Sequence, residues 1–180
     1  MQKSIDARNR KVLISGAAGG LGRELVRNFH NAGYHVIAVD MVQGNDNSIN
    51  GDAIQQVVID VTDKLQVRSL INDLDLENSG LDVLISAAGI YGSFPVTSAD
   101  PSLFSRIMDV NLHGTVNLVQ ALLGPLTKNH GRVVVISSES YKVQAMFQPY
   151  MISKAALESY CKVARQELAL KGVKMSVVRP

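Results

Sequence analysis

The chain has no tryptophan, one cysteine, five prolines and aromatic residues at only 5% of its 180 positions. A single thiol, Cys161, cannot close an internal disulfide, which excludes a disulfide-stapled scaffold and suits a reducing compartment. The formal net charge is +2, and no basic run outgrows the patch Arg8-Asn9-Arg10-Lys11. So even a balance leaves no electrostatic footprint for nucleic acid. No apolar run approaches the roughly 18 residues of a membrane span, and residues 1–10 lack the apolar centre of a secretory signal. The four histidines, His30, His35, His113 and His130, are scattered without paired ligand spacing, so no metal is expected. Together these absences predict a cytoplasmic protein whose partners are neither nucleic acid nor membrane.

What is present is apolar: 46% of residues are hydrophobic and 19% charged. A chain of this length can bury roughly 70% of its unfolded surface in one core. The expected organisation is a flexible tail over residues 1–10 and a single domain over 11–180. Residues 11–40 organise that domain. Val12-Leu13-Ile14 lead into Ser15-Gly16-Ala17-Ala18-Gly19-Gly20-Leu21-Gly22, which opens a segment with Leu21, Leu25, Val26 and Phe29 on one helical face. After Gly33 a second apolar run ends in Asp40. This reads as strand, tight turn, helix and strand. The glycines let the backbone approach a pyrophosphate, and the unpaired N–H groups at the helix start attract it. Asp40 follows Gly22 at close to the spacing of about 20 residues at which a carboxylate reaches the adenosine ribose. The alternative is a helix-capping glycine turn that binds nothing.

The pattern then repeats. A loop over residues 41–52, rich in Asn, Gly and Asp, is placed beside the adenine. Val57-Val58-Ile59, ending in Asp60, is the third strand, and Val67, Leu70, Ile71 and Leu74 follow at helical spacing. Residues 81–85 form a fourth strand that enters Ser86-Ala87-Ala88-Gly89, whose small residues suit close passage past a ligand. A helical pattern over residues 101–123 contains Asn111 and stops at Gly124-Pro125. Val133-Val134-Val135-Ile136 reads as a central parallel strand ending at Ser137-Ser138. Gln148-Pro149-Tyr150 opens a helix to about Leu170, residues 173–178 are a sixth strand, and the chain closes on Arg179-Pro180. The alternation predicts an α/β fold: a Rossmann-like, doubly wound parallel sheet of about six strands with helices on both faces, its ligand at the carboxyl ends of the strands.

Tyr150 and Lys154 lie four apart and so share a helical face. A phenol titrating near 10 is a poor acid or base at neutral pH, and a neighbouring ammonium favours its phenolate. Taken alone the spacing is common. With Ser138, Asn111 and the glycine turn it points to proton transfer beside a dinucleotide.

These residues resemble the short-chain dehydrogenase/reductase family, specifically its short single-domain branch. The resemblance runs from Lys11 to Pro180 through Ser15-Gly16-x-x-x-Gly20-x-Gly22, Asp60-Val61, Ala88-Gly89, Asn111, Ser138, Tyr150-x-x-Ser153-Lys154 and Arg179-Pro180. It implies an oxidoreductase that moves a hydride between NAD and a small hydroxyl or carbonyl substrate. It further implies that Tyr150 is the general acid/base, that Lys154 assists it and holds the nicotinamide ribose, and that Ser138 bonds the substrate oxygen. Asn111 matches the asparagine whose local helix distortion holds a water in the proton relay. Ser15, Gly16, Gly20, Leu21, Gly22, Asp40, Asp60, Val61, Ala88, Gly89, Tyr150, Lys154 and Pro180 match cofactor-binding positions.

Departures accompany the match. Ser15 stands where threonine is usual. Ser86-Ala87 replaces paired asparagines, removing side chains that brace the fourth strand. Ser137 competes with Ser138 for the substrate position, although Ser138 is preferred by its distance from Gly131. Gly16-x-x-Gly19-x-x-Gly22 also satisfies the template of extended-branch sugar-nucleotide epimerases and dehydratases, and a non-catalytic NAD-binding sensor would share the fold. Residues 140–148, including Tyr141 and Phe147, are expected to line the substrate side. A homodimer or homotetramer contact through residues 101–123 and 150–170 is implied, with Leu118, Leu122, Leu157, Val163, Ala164 and Leu168 as its second apolar face. Family members usually continue beyond a position such as Pro180 into a substrate lid, a helix and a last strand. The chain is therefore expected to be C-terminally incomplete, with Val173, Met175, Val177 and Val178 on an exposed edge.

Overall fold

Val12, Leu13 and Ile14 are wholly buried in β1 (Lys11–Ser15), and they face opposite sides of the sheet because strand side chains alternate. Leu13 joins a core with Val39, Leu84 and Val133, whereas Val12 and Ile14 pack with Val36, Ala38 and Ile85. One strand thus anchors two hydrophobic layers. The computed structural model describes residues 10–43, 53–139 and 149–180. The expectations for residues 1–9, for most of the 41–52 loop and for residues 140–148 fall outside them.

β1 is followed by α1 (Gly20–Asn31), β2 (His35–Asp40), β3 (Ile54–Val58), α2 (Lys64–Asp73), the short α3 (Leu76–Ser79) and β4 (Val83–Ser86). Next come α4 (Pro101–Met108), a π-helical turn at Asp109–His113, α5 (Gly114–Ala121), α6 (Leu123–Lys128), β5 (Arg132–Ile136), α7 (Pro149–Leu170) and β6 (Lys174–Val178). The six strands form one parallel sheet in the order β3-β2-β1-β4-β5-β6. The expected doubly wound fold is present. β1 pairs with β2 on one side and β4 on the other, so the direction of winding reverses between β1 and β4, and that reversal opens a crevice at their carboxyl ends.

Leu25, Val26 and Phe29 of α1 cover the face carrying Val12 and Ile14. Opposite, Leu70 of α2, Leu118 of α5, Leu126 of α6 and Leu157 of α7 close the larger layer, each within 1% of complete burial. Burial of one such leucine contributes about 1.5–3 kcal/mol, which makes this layer the main source of stability.

Five local expectations are corrected. Leu21 is 46% exposed and does not join Leu25 and Val26, because in the first turn of α1 its side chain stays in solvent. The third strand begins at Ile54 and ends at Val58, so Ile59 and Asp60 lie past it. Gly124-Pro125 does not stop the chain: it forms the first turn of α6, where a missing proline N–H costs nothing. Leu118, Leu122, Leu157 and Leu168 belong to the core of this chain rather than to a second face, leaving Val163 exposed at 64%. Val173 and Met175 are likewise buried, because α7 packs on them, while Val178 is open at the edge.

Candidate active site

The glycine turn is shaped by contacts that admit no side chain. Gly16 has φ +73°, and a Cβ there would lie 2.7 Å from Ala88 N and 2.8 Å from the carbonyl carbon of Ala87. Gly22 meets the same limit, since a Cβ on it would run into the Gly16 carbonyl oxygen. Gly20 is different: a Cβ there would meet nothing within 4 Å. Gly19 caps α1 without any side-chain hydrogen bond, and no acidic residue occupies the first turn. By contrast Asp63 caps α2 and Asp100 caps α4 through their carboxylates. The start of α1 therefore keeps free N–H groups and an uncompensated positive end, the arrangement that suits a phosphate anion.

The neighbouring strand ends are braced by side chains. Ser15 is fully buried, and its Oγ accepts from Ala87 N at 3.2 Å and Ala88 N at 3.3 Å. Ser86 Oγ pairs with Thr115 Oγ1 at 2.8 Å. Bracing thus survives the loss of paired asparagines, carried by hydroxyls from β1 and α5. At the tip of β2, Asp40 Oδ2 accepts from Ala18 N at 2.9 Å. Asp60 Oδ1 accepts from both Thr62 N and Thr62 Oγ1 at 2.8 Å, and Asn117 Nδ2 donates to Val61 O at 3.0 Å.

Asn111 lies inside the π-helical turn and is completely buried. Its Oδ1 accepts from Ile90 N at 2.8 Å and its Nδ2 donates to Ile90 O at 3.0 Å, which clamps the loop that follows β4. The same Nδ2 donates to Ser153 Oγ at 2.9 Å, and Ser153 Oγ donates to Tyr150 O at 2.6 Å. The expected helix distortion at Asn111 is present, and it ties the β4 loop to the first turns of α7.

On α7 the Lys154 ammonium lies 5.6 Å from the centroid of the Tyr150 ring and donates to Ile136 O at 2.9 Å. Lys154 is only 6% exposed, and burial pushes its pKa down to about 8. The Tyr150 ring also meets the Tyr91 ring at a centroid distance of 5.4 Å. Ser138 is half-buried just beyond the end of β5. Ser137 is committed elsewhere, donating to Glu158 Oε1 at 2.8 Å. Glu158 in turn takes a two-pronged bond from Arg179, at 2.7 and 2.8 Å, which holds its carboxyl below the usual carboxylate range.

A cleft of about 740 Å³ opens at these strand ends. Gly16, Asp40, Asp60, Val61, Ala88 and Gly89 line it, as expected. Ser15 stands behind it, and Gly20, Leu21, Gly22, Ser138, Tyr150, Lys154 and Pro180 are outside its lining. Gly89 joins the two groups. A Cβ at Gly89 would lie 3.3 Å from Asn111 Oδ1 and 3.6 Å from Lys154 Nζ, so the ammonium stands directly behind the cleft wall. Several lining residues were not anticipated: Ala18, Thr62, Ile90, Ser105, Arg106 and Val110. Their signal was faint. Positions 102, 105 and 106 of α4 and 109 of the turn that follows keep helical spacing, but periodicity alone marks such a stripe as solvated rather than as the wall of a crevice.

A doubly wound sheet with a glycine turn at its switch point and a Tyr-x-x-x-Lys helix at its carboxyl edge defines a recognisable class of protein. Residues 10–180 match the short chain dehydrogenase family. Relatives include the NADPH-dependent 1-acyldihydroxyacetone phosphate reductase of Schizosaccharomyces pombe, 33% identical over 93% of this chain and 57% of that protein. An uncharacterized oxidoreductase of Staphylococcus aureus is 30% identical over 93% of this chain and 75% of its own length. Galactitol 2-dehydrogenase of Agrobacterium fabrum is 27% identical over 96% and 70% respectively. The chain belongs to the short-chain dehydrogenase/reductase family. It spans little more than half the length of the yeast relative.

Proposed function

We propose that the chain carries the cofactor half and catalytic face of an NAD-dependent oxidoreductase that interconverts a secondary alcohol and a ketone. The observation that carries this reading is the Lys154 ammonium, buried between the Tyr150 ring and the Gly89 wall of the cleft. The residues fit a nicotinamide dinucleotide. The left-handed Gly16, the open start of α1 and the side-chain-free wall at Gly89 form a cradle that added Cβ atoms would fill.

When bound, the nicotinamide would accept the hydride as the substrate C–H bond breaks and the carbonyl forms. Tyr150 takes the hydroxyl proton, and Lys154 stabilises negative charge on the phenol oxygen. Ser138 donates to the substrate oxygen; the near-complete burial of Ser137, against the half-buried Ser138, supports this choice between the two serines. Asn111 holds the β4 loop against α7, so the cleft and Tyr150 keep a fixed separation.

Asp40 sits at the ribose end and favours NAD. A 2′-phosphate about 4 Å from its carboxylate would cost about 4 kcal/mol per charge pair at an effective dielectric near 20. The yeast relative named NADPH-dependent makes this preference worth measuring directly. Titration of both cofactors should give tighter NAD binding, and Asp40→Ala should narrow the gap; tighter NADP binding by the unaltered chain overturns the assignment. Tyr150→Phe should abolish turnover and leave NAD affinity intact, whereas near-normal turnover would refute the mechanism.

A further inference from the structure

The cleft has a second wall that the glycine turn and strand ends do not supply. Ser102, Ser105, Arg106 and Asp109 recur at intervals of three, one and three along α4 and the turn that follows, so they form one polar stripe. All four line the 740 Å³ cleft opposite the ends of β1, β2, β3 and β4. Among the described residues of that lining Arg106 is the only cation, set among the carboxylates Asp40, Asp60 and Asp109.

Those carboxylates are already engaged. Asp40 takes Ala18 N, Asp60 takes Thr62, and Asp109 takes His113 Nδ1 at 2.9 Å. The Arg106 side chain has no hydrogen bond or ion pair among the described residues. Nor is it needed at the end of α4, because the Asp109 N–H already bonds the Arg106 and Ser105 carbonyls and the helix runs on into the π-helical turn. A guanidinium with five donors and a flat face is left over in a cleft built for a ligand.

Resting on the dinucleotide reading above, we infer that Arg106 is a cofactor-binding residue that holds the adenine ring from the α4 side. The cleft takes in the ends of β2 and β3 and stops short of Tyr150 and Pro180, so it is the adenine half of the site. Within that half the neighbouring carboxylates oppose a further phosphate, whereas the neutral adenine ring offers a π face to a planar cation. Lysine, lacking that plane, is a poor replacement.

Isothermal titration of the 180-residue chain with ADP-ribose, NAD, NADP and nicotinamide mononucleotide tests this without any turnover. Arg106→Leu and Arg106→Lys should each weaken ADP-ribose and NAD by a similar factor of about 3–10, with little change for nicotinamide mononucleotide. Arg106 is exposed, so unchanged circular dichroism and urea midpoints should accompany the loss. Unaltered ADP-ribose affinity in both variants overturns the inference, as does a loss confined to NADP, which would assign Arg106 to a 2′-phosphate. Failure of the unaltered chain to bind ADP-ribose at all would overturn the dinucleotide reading and this role with it.

Discussion

Lys154 holds a charge where the fold resists one. Unfolded, a lysine keeps its proton to about 10.5; in this site burial brings the value down to about 8. Between those values the unfolded chain binds more protons, so this residue makes stability rise with pH across that window. Below it the fold bears the full cost of the buried ammonium, about 3 kcal/mol at about 1.4 kcal/mol per pH unit. Lys154→Met should therefore gain relative stability at pH 7 and lose that gain by pH 10, less about 1–3 kcal/mol for the orphaned Ile136 carbonyl. Urea unfolding of both proteins at the two pH values reads it; a gap independent of pH would show that the ammonium is not desolvated. The glycines make a parallel contrast. Gly16→Ala forces a left-handed alanine against Ala88 backbone and should cost more than about 2 kcal/mol. Gly20→Ala meets nothing and should add a few tenths to about 1 kcal/mol of stability. If the turn cradles pyrophosphate, that same Gly20→Ala variant should bind NAD more weakly, which separates a ligand site from a mere capping turn.

At the scale of elements, the π-helical turn does what a regular helix could not, bringing one side chain to two other segments. Asn111 and Ser153 share one hydrogen bond in a buried chain that runs from Ile90 to Tyr150. Asn111→Ala should cost about 3 kcal/mol, since the Ile90 amide and carbonyl lose their partner. The Asn111→Ala, Ser153→Ala cycle should show a coupling of about 1 kcal/mol or more in urea melts; additive losses would mean that the two act separately. Little of this network was visible beforehand. The sequence marks Asn111 only by resemblance, because no residue pattern signals a π turn. β1, β2 and β5 were legible because strands buried on both faces read as unbroken aliphatic runs. β3 starts three residues earlier than the sequence suggests because it is an edge strand whose Gln55-Gln56 carries no apolar signal. Gly124-Pro125 misled for a related reason: the same pair punctuates a loop or opens a helix, and packing of Leu126 into the core decides between them. Gly16, Asp40, Asp60 and Gly89 are legible as cleft residues because their chemistry and spacing are local, whereas Gly20 and Gly22 of the same turn fall outside the lining. Arg106 is not legible, since only the tertiary fold turns α4's polar stripe toward the strand ends.

At the scale of the molecule, the sheet ends in two edge strands, β3 and β6. Among the described residues, β3 pairs with β2 alone and β6 with β5 alone, so no described strand covers the outer side of either. Among the described residues, Val58 on β3 is 53% exposed and Val178 on β6 is 45% exposed. The helical surface gives less reason for association than the sequence suggested, because Leu118, Leu122, Leu157 and Leu168 are spent on the core. The β3 and β6 edges are therefore the candidate sites for self-association, and substitution at Val178 tests the β6 edge. An aliphatic edge of this kind is a template for a second strand unless charge or cover blunts it. Light scattering across a micromolar concentration series should show association that rises with concentration, and Val178→Lys should shift the chain toward monomer with its urea midpoint within about 0.5 kcal/mol of the original. A monomer throughout would rule out the edge contact. Association unaffected by Val178→Lys but reduced by Val163→Lys would move the contact to α7 and restore the helix-mediated dimer that the family resemblance implies.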